Sequence, residues 1–68
     1  MEKQPRNELT RARRLCGMSQ TDLARALRVT PGTVSHWESG KRNPSDSILP
    51  DLAKALRRDT AAILPLID

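Results

Sequence analysis

Residues 19–38, with the sequence SQTDLARALRVTPGTVSHWE, restrict the fold of this chain more than any other stretch. Ser19 and Asp22 have the spacing of a capping box, with Asp in place of the usual Glu, which predicts a helix over 20–27. Thr30 followed by Pro31 predicts a second helix over 31–38, because threonine caps helices and proline suits the first helical position. We therefore expect two short helices joined by a tight turn at residues 28–29.

The segment before this pair predicts a helix over 7–16. Residues at spacings i, i+3, i+4 and i+7 share one helical face, and here they are Leu9, Ala12, Arg13 and Cys16. Gly17 ends the helix by supplying a left-handed residue. Residues 1–6 are polar and contain a proline, so we expect a flexible tail there and one domain over 7–68.

Two helices are expected after the pair, over 47–57 and 60–64. Pro50 lies early in the first of them, where it removes a backbone hydrogen bond, so we expect a 3₁₀-like start and regular helix from about residue 49 or 50. Ser45 or Ser47 is its expected cap, while Asp59 caps the last helix and Pro65 ends it. The expected fold class is all-α, as a compact five-helix domain.

The composition limits which folds, disulfides and metal sites are possible. A chain of 68 residues suits one domain, and with Trp37 as its single aromatic residue the core must be aliphatic, which favours helices. The single cysteine, Cys16, excludes an internal disulfide, and no histidine or second cysteine lies at ligand spacing, so we expect a core or half-buried thiol and no metal.

The sequence also disfavours several classes of function. No nucleophile–base pair, carboxylate pair or glycine-rich phosphate loop is present, so we expect no enzyme, no cofactor and no small-molecule ligand. No apolar run approaches the roughly 20 residues of a membrane span, and a reduced, cytoplasmic protein is expected. The 12 Lys and Arg outnumber the 8 Asp and Glu, giving a net charge of +4 that suits a polyanionic partner. Exposed aromatic residues for stacking RNA bases are lacking.

With these pieces in place, the chain resembles the Cro and phage-repressor class of helix-turn-helix proteins, the Xre family, from about residue 9 to residue 64. The matching positions are Arg13, Gln20, Leu23-Ala24, Val34, Glu38-x-Gly40-Lys41, Asn43-Pro44 and Leu52-Ala53-x-Ala55-Leu56. The chain departs from the family at Pro50 and at Arg28, where the family usually has glycine. A left-handed Arg28 costs about 1 kcal/mol, so the turn is either strained or differently shaped.

The resemblance implies sequence-specific binding to double-stranded DNA, with the helix over 31–38 in the major groove. It places the base-contacting positions at Pro31, Gly32, Thr33 and His36. His36 is the longest polar side chain of this set and suits guanine O6 or N7, although an exposed histidine without a role is the alternative. Gly32 either lets the backbone approach DNA closely or is a tolerated surface glycine. With so few long side chains, DNA shape is expected to carry part of the specificity.

Phosphate contacts are expected at helix N-termini and in the basic loop, because unpaired N–H groups and cations attract anions. The expected residues are Ser19, Gln20, Thr30, Ser35, Lys41, Arg42, Asn43 and Arg14. The alternative for the loop is a solubilising basic turn. Arg13 and Glu38 match a family pair that forms an internal salt bridge, which would hold the recognition helix in place.

The apolar C-terminal run predicts a symmetric dimer contact through Ile63, Leu66 and Ile67, unless it folds back on its own domain. A dimer would read an inverted-repeat operator. The expected function is a small dimeric repressor, acting on its own gene, from a phage, plasmid or small operon. The alternative is an antitoxin or another regulator that binds a protein partner with the same fold.

Overall fold

The computed structural model describes residues 7–58 and residue 62. The helices of this part are α1 (Asn7–Leu15), α2 (Gln20–Leu27), α3 (Pro31–Glu38) and α4 (Leu49–Ala55), and the described residues include no strand. The bounds of α2 and α3 coincide with the expected ranges, and α1 ends one residue early. The expected tail, 1–6, and the expected fifth helix, 60–64, lie outside the described residues, except for Ala62, which is helical and exposed.

The start of α4 differs from the expectation of a serine cap. The N-cap is Ile48, with no side-chain cap, and the hydroxyls of Ser45 and Ser47 lie 3.1 Å apart in a hydrogen bond with each other. The Ile48 N–H donates to the Ser45 carbonyl at 3.0 Å, which is the i→i+3 bond of a 3₁₀ turn. Pro50 therefore falls within the first turn of regular helix, where its missing N–H needs no partner. The irregular start expected from Pro50 is confirmed, but the helix spans 49–55 rather than 47–57.

Each of the four helices is followed within two residues by a left-handed residue. Two are glycines, Gly17 with φ 72°, as expected, and Gly40 with φ 79°, whereas the other two are arginines, Arg28 with φ 59° and Arg57 with φ 58°. At the end of α2, the Val29 N–H donates to the Ala24 carbonyl at 2.9 Å, the long bond of a Schellman motif. The turn thus has the shape that glycine usually provides, and Arg28 is strained rather than differently folded.

The core is built from one face of each helix, with α2 packed against α3 and α4, and α1 packed against α3. Its buried members are Leu9, Ala12, Leu23, Ala24, Leu27, Val34, Trp37, Leu49, Leu52, Ala53 and Leu56. Val34 and Trp37 bury one side of α3, so the opposite side of this helix is left facing outward. Within the described range, no helix is both long and apolar enough to cross a bilayer.

Candidate nucleic-acid interface

The N-terminus of α2 is closed by a reciprocal pair of hydrogen bonds. The Asp22 N–H donates to Ser19 Oγ at 3.0 Å, and the Ser19 N–H donates to Asp22 Oδ2 at 3.0 Å. The backbone bond from Ser19, followed by the side-chain bond, lowers the pKa of the exposed Asp22 carboxyl. The expected capping box is confirmed, and it fixes where α2 begins.

The N-terminus of α3 is capped by Thr30. Its Oγ1 accepts a hydrogen bond from the Thr33 N–H at 3.2 Å and lies 2.9 Å from the Thr33 hydroxyl, with either oxygen as the donor. Pro31 occupies the first turn, as expected. The two threonine hydroxyls are thus tied together at the start of the helix.

The outward side of α3 carries all four expected base-contacting residues. Pro31 and Gly32 are exposed, while Thr33 and His36 are half-buried. Ser35, an expected phosphate contact on the same helix, is also half-buried. The structure therefore groups these side chains on one short helix whose other side is packed in the core.

A groove of about 530 Å³ separates α3 from the loop that follows it. Thr33 and His36 line it from the helix, while Arg42 and Asn43 line it from the loop. The Arg42 N–H donates to the His36 carbonyl at 3.1 Å, so the basic loop is attached to α3 through its backbone. Lys41 is exposed next to this attachment. Arg42 and Asn43 consequently share one groove with Gly32, Thr33 and His36.

A buried carboxylate fixes the far end of α3. Glu38 Oε2 accepts from Arg13 Nε at 2.6 Å, and Glu38 Oε1 accepts from Arg13 Nη2 at 3.2 Å. Oε1 also accepts from Thr10 at 2.9 Å and from Gln20 Nε2 at 3.2 Å, while Arg13 Nη1 donates to the Met18 carbonyl at 2.8 Å. Among the described residues, every buried side-chain nitrogen and oxygen has a hydrogen-bond partner. One carboxylate therefore joins α1, α2 and α3.

Electrostatics keep this carboxylate ionised. Burial alone raises the pKa of Glu38, but hydrogen bonds from Arg13, Gln20 and Thr10 outweigh burial and hold the pKa below its usual value. Arg13 thus has a structural role here, and Gln20 shares it.

Thr10 is the member of this cluster that sequence reasoning missed. A signal was present, because Thr10 precedes Arg13 by three residues and therefore lies on the same face of α1. The tie between Thr30 and Thr33 was also missed, although the two are again three residues apart.

The remaining sequence-predicted residues lie elsewhere. Ser19 and Arg14 are exposed at the start of α2 and on α1. Cys16 is half-buried, with its Sγ 3.5 Å from the Leu56 carbonyl oxygen. The described residues contain no cluster of three or more His, Cys, Asp or Glu that could hold a metal ion. The three predicted dimer residues, Ile63, Leu66 and Ile67, lie outside the part of the chain that the structure describes.

Comparison with known proteins supports this geometry. The helix-turn-helix family matches residues 9–63. Over 48 residues the chain is 40% identical to an uncharacterised HTH-type transcriptional regulator of Archaeoglobus fulgidus, covering 71% of this chain and 21% of that protein. The chain thus spans about a fifth of the length of this curated relative.

Two solved structures share the fold. The clp gene regulator ClgR from Corynebacterium glutamicum superposes with a TM-score of 0.79 at 31% identity, covering 91% of this chain and 80% of that chain. The DNA-binding domain of the P22 C2 repressor gives a TM-score of 0.77 at 29% identity, covering 94% and 86%.

Proposed function

Because the chain belongs to the helix-turn-helix family of Cro and repressor type, we propose that it binds double-stranded DNA sequence-specifically, with α3 in the major groove. The observation that carries this proposal is the outward side of α3, which presents Pro31, Gly32, Thr33 and His36 while Val34 and Trp37 hold the other side in the core. A helix that reads bases in the major groove needs short side chains on its outward side and a fixed orientation in the domain, and α3 has both.

Phosphate contacts on both sides of α3 complete the proposed interface. The N-termini of α2 and α3 direct N–H groups outward near Ser19, Gln20 and Thr30, where they suit phosphate oxygens. The other proposed contacts are Ser35, Lys41, Arg42, Asn43 and Arg14. The backbone bond from Arg42 to His36 supports this arrangement, because it holds the basic loop against the reading helix.

The proposed cellular role is that of a small transcriptional repressor, from a phage, plasmid or small operon and acting on its own gene. The similarity to the P22 C2 repressor domain and to a clp gene regulator supports a regulatory role. We propose a homodimer on an inverted-repeat operator, with a fifth helix over 60–64 and a contact through Ile63, Leu66 and Ile67. One short recognition helix binds DNA weakly, and a dimer that contacts two half-sites at once has a higher overall affinity.

Selection of bound duplexes from a random pool, at near-physiological salt, tests this function. We expect an inverted repeat whose half-sites lie about one helical turn apart, roughly 10 base pairs centre to centre. The double variant Thr33→Ala with His36→Ala keeps the buried side of α3 and is the matched control, expected to fold and to lose the enriched sequence. An unenriched pool would contradict DNA reading, and a single half-site would contradict the dimer.

A protein-binding regulator, such as an antitoxin, is the second candidate. Leu15 on α1 supports it, because this side chain is 73% exposed and borders a shallow surface with Thr10, Arg11 and Arg14. Single exposed leucines are common, which makes this the weaker candidate. Recovery of a stable one-to-one complex with a co-encoded protein, lost in Leu15→Ser, would favour it.

A further inference from the structure

The first turn of α3 presents an unusual surface for a helix proposed to read bases. Its two leading residues, Pro31 and Gly32, are exposed and carry no polar side-chain atom. Thr33, the next residue, lines the groove beside His36. The longest side chains of residues 31–33 are a proline ring and a threonine. A contact between this turn and another molecule therefore requires the helix backbone to come close to that molecule.

The two threonine hydroxyls of this turn are hydrogen-bonded to each other within the protein. Thr30 Oγ1 accepts from the Thr33 N–H at 3.2 Å and shares a hydrogen bond of 2.9 Å with the Thr33 hydroxyl. That single bond uses one of the two hydroxyl hydrogens and restrains the rotamer of Thr33. With Thr33 Oγ1 held by Thr30, its methyl group is the part of the side chain that makes no hydrogen bond.

Neither packing nor backbone conformation within the domain requires glycine at Gly32. A Cβ added there would meet one neighbouring atom, Thr30 Oγ1, at 3.9 Å, which is ordinary van der Waals contact. Its φ is not in the left-handed region, unlike that of Gly17 at 72°. Alanine is the better residue in a helix, so glycine here weakens the fold. A glycine that the fold does not require lets the helix backbone approach another molecule.

We infer, on the basis of the DNA-binding function proposed above, that residues 31–33 form a surface that reads the C5-methyl group of thymine. That methyl projects into the major groove and distinguishes thymine by shape rather than by hydrogen bonding. The Thr33 methyl is the specificity-determining group, and Gly32 provides the clearance for its approach. His36, one turn further along α3, makes the contact with the hydrogen-bonding edge of a base.

Uracil substitution isolates the methyl group, because uracil keeps the hydrogen-bonding edge of thymine and lacks the C5-methyl. The probe is the duplex enriched by selection, with each thymine of a half-site replaced singly by uracil. We expect at least one position where binding weakens about fourfold, the effect of one buried methyl group. Enrichment without any position sensitive to uracil would overturn this inference and leave the DNA-binding function standing, whereas an unenriched pool would overturn both.

Two variants, each lacking one of the two groups that the Thr33 Cβ carries, assign the methyl to Thr33. Thr33→Val keeps a methyl and loses the hydroxyl, so it should retain the preference for thymine over uracil. Thr33→Ser keeps the hydroxyl and loses the methyl, so it should bind both duplexes equally. The reverse pattern would show that the hydroxyl is the reading group and would overturn the assignment.

Gly32→Ala tests the close approach, because it should raise the stability of the domain and lower its affinity for DNA. We expect the melting temperature to rise and the affinity for the enriched duplex to fall at least threefold. Gly17→Ala is the matched control, because its left-handed backbone makes alanine strained although no atom lies within 4 Å of the added Cβ. The control should lower the melting temperature and keep the affinity of the remaining folded protein. Unchanged affinity in Gly32→Ala would overturn the close approach.

Discussion

The guanidinium of Arg13 on α1 lies 2.6 Å from the carboxylate of Glu38 at the end of α3, and both side chains are buried. Removing one partner of a buried pair leaves an uncompensated charge, which costs far more than the loss of an exposed pair. The pair therefore connects the stability of the domain to the placement of the helix proposed to read DNA.

Glu38→Gln should lower the free energy of unfolding by about 3 kcal/mol, because Arg13 would keep its buried charge without a counter-ion. Urea denaturation followed by fluorescence of the buried Trp37 measures this change. Glu8→Gln, the same substitution on an exposed side chain of α1, is the control and should stay within about 0.5 kcal/mol. Equal effects of the two substitutions would contradict a structural role for the ion pair.

Stability should fall as the pH is lowered below about 4.3, the ordinary glutamate value. The folded protein holds the pKa of Glu38, and that of Asp22, below their usual values. The unfolded chain therefore binds protons first on acidification, and the stabilisation present at neutral pH is lost as pH falls through the folded-state pKa values. Urea midpoints between pH 7 and pH 3 measure this, and Glu38→Gln should flatten the dependence. A midpoint that stays constant would refute the expectation.

Arg28→Gly should stabilise the domain by about 1 kcal/mol, because glycine adopts the left-handed conformation at φ 59° without the strain of a Cβ. Thermal unfolding followed by circular dichroism measures this gain. Arg58→Gly removes the same side chain from an exposed residue that has no positive φ, and it should give no gain. If Arg28→Gly destabilises the domain, the arginine side chain contributes more than the strain costs.

Lys41→Ala together with Arg42→Ala should weaken DNA binding on every sequence and reduce the slope of log K against log salt. Each lost phosphate contact changes that slope by about 0.9. Fluorescence anisotropy across a range of salt concentrations measures both quantities. Lys54→Ala with Arg58→Ala removes the same charge from exposed residues of α4 and the segment after it, and this control should keep the slope. An unchanged slope in the loop variant would exclude the loop from the interface.

His36→Ala should change which sequence is preferred, because its imidazole is the longest polar side chain on the outward side of α3. Loss of one good base contact is worth about 1–3 kcal/mol of discrimination at a single base pair. Repeating the duplex selection with the variant would show relaxed preference at that position. Uniform weakening on all duplexes would indicate that His36 contacts the backbone or supports the helix instead.

Local sequence patterns were sufficient for the parts of the fold that local interactions control. The caps at Ser19 and Thr30 are formed between residues three apart, so reading the sequence locates both helix starts. The same reasoning failed at Ser45 and Ser47, where a 3₁₀ turn moved the start of α4 to Leu49. Serine can serve several local roles, and the sequence does not say which one packing will select.

Other features depend on contacts between residues far apart in the chain. The convergence of Thr10, Arg13 and Gln20 on Glu38 spans three helices. The amino-acid sequence alone determined the helical class, the paired helices and the outward residues of α3, because periodicity and capping are local. Only the tertiary structure decided how the basic loop attaches to α3 and which polar side chains are used internally, because those bonds exist only once the helices are packed.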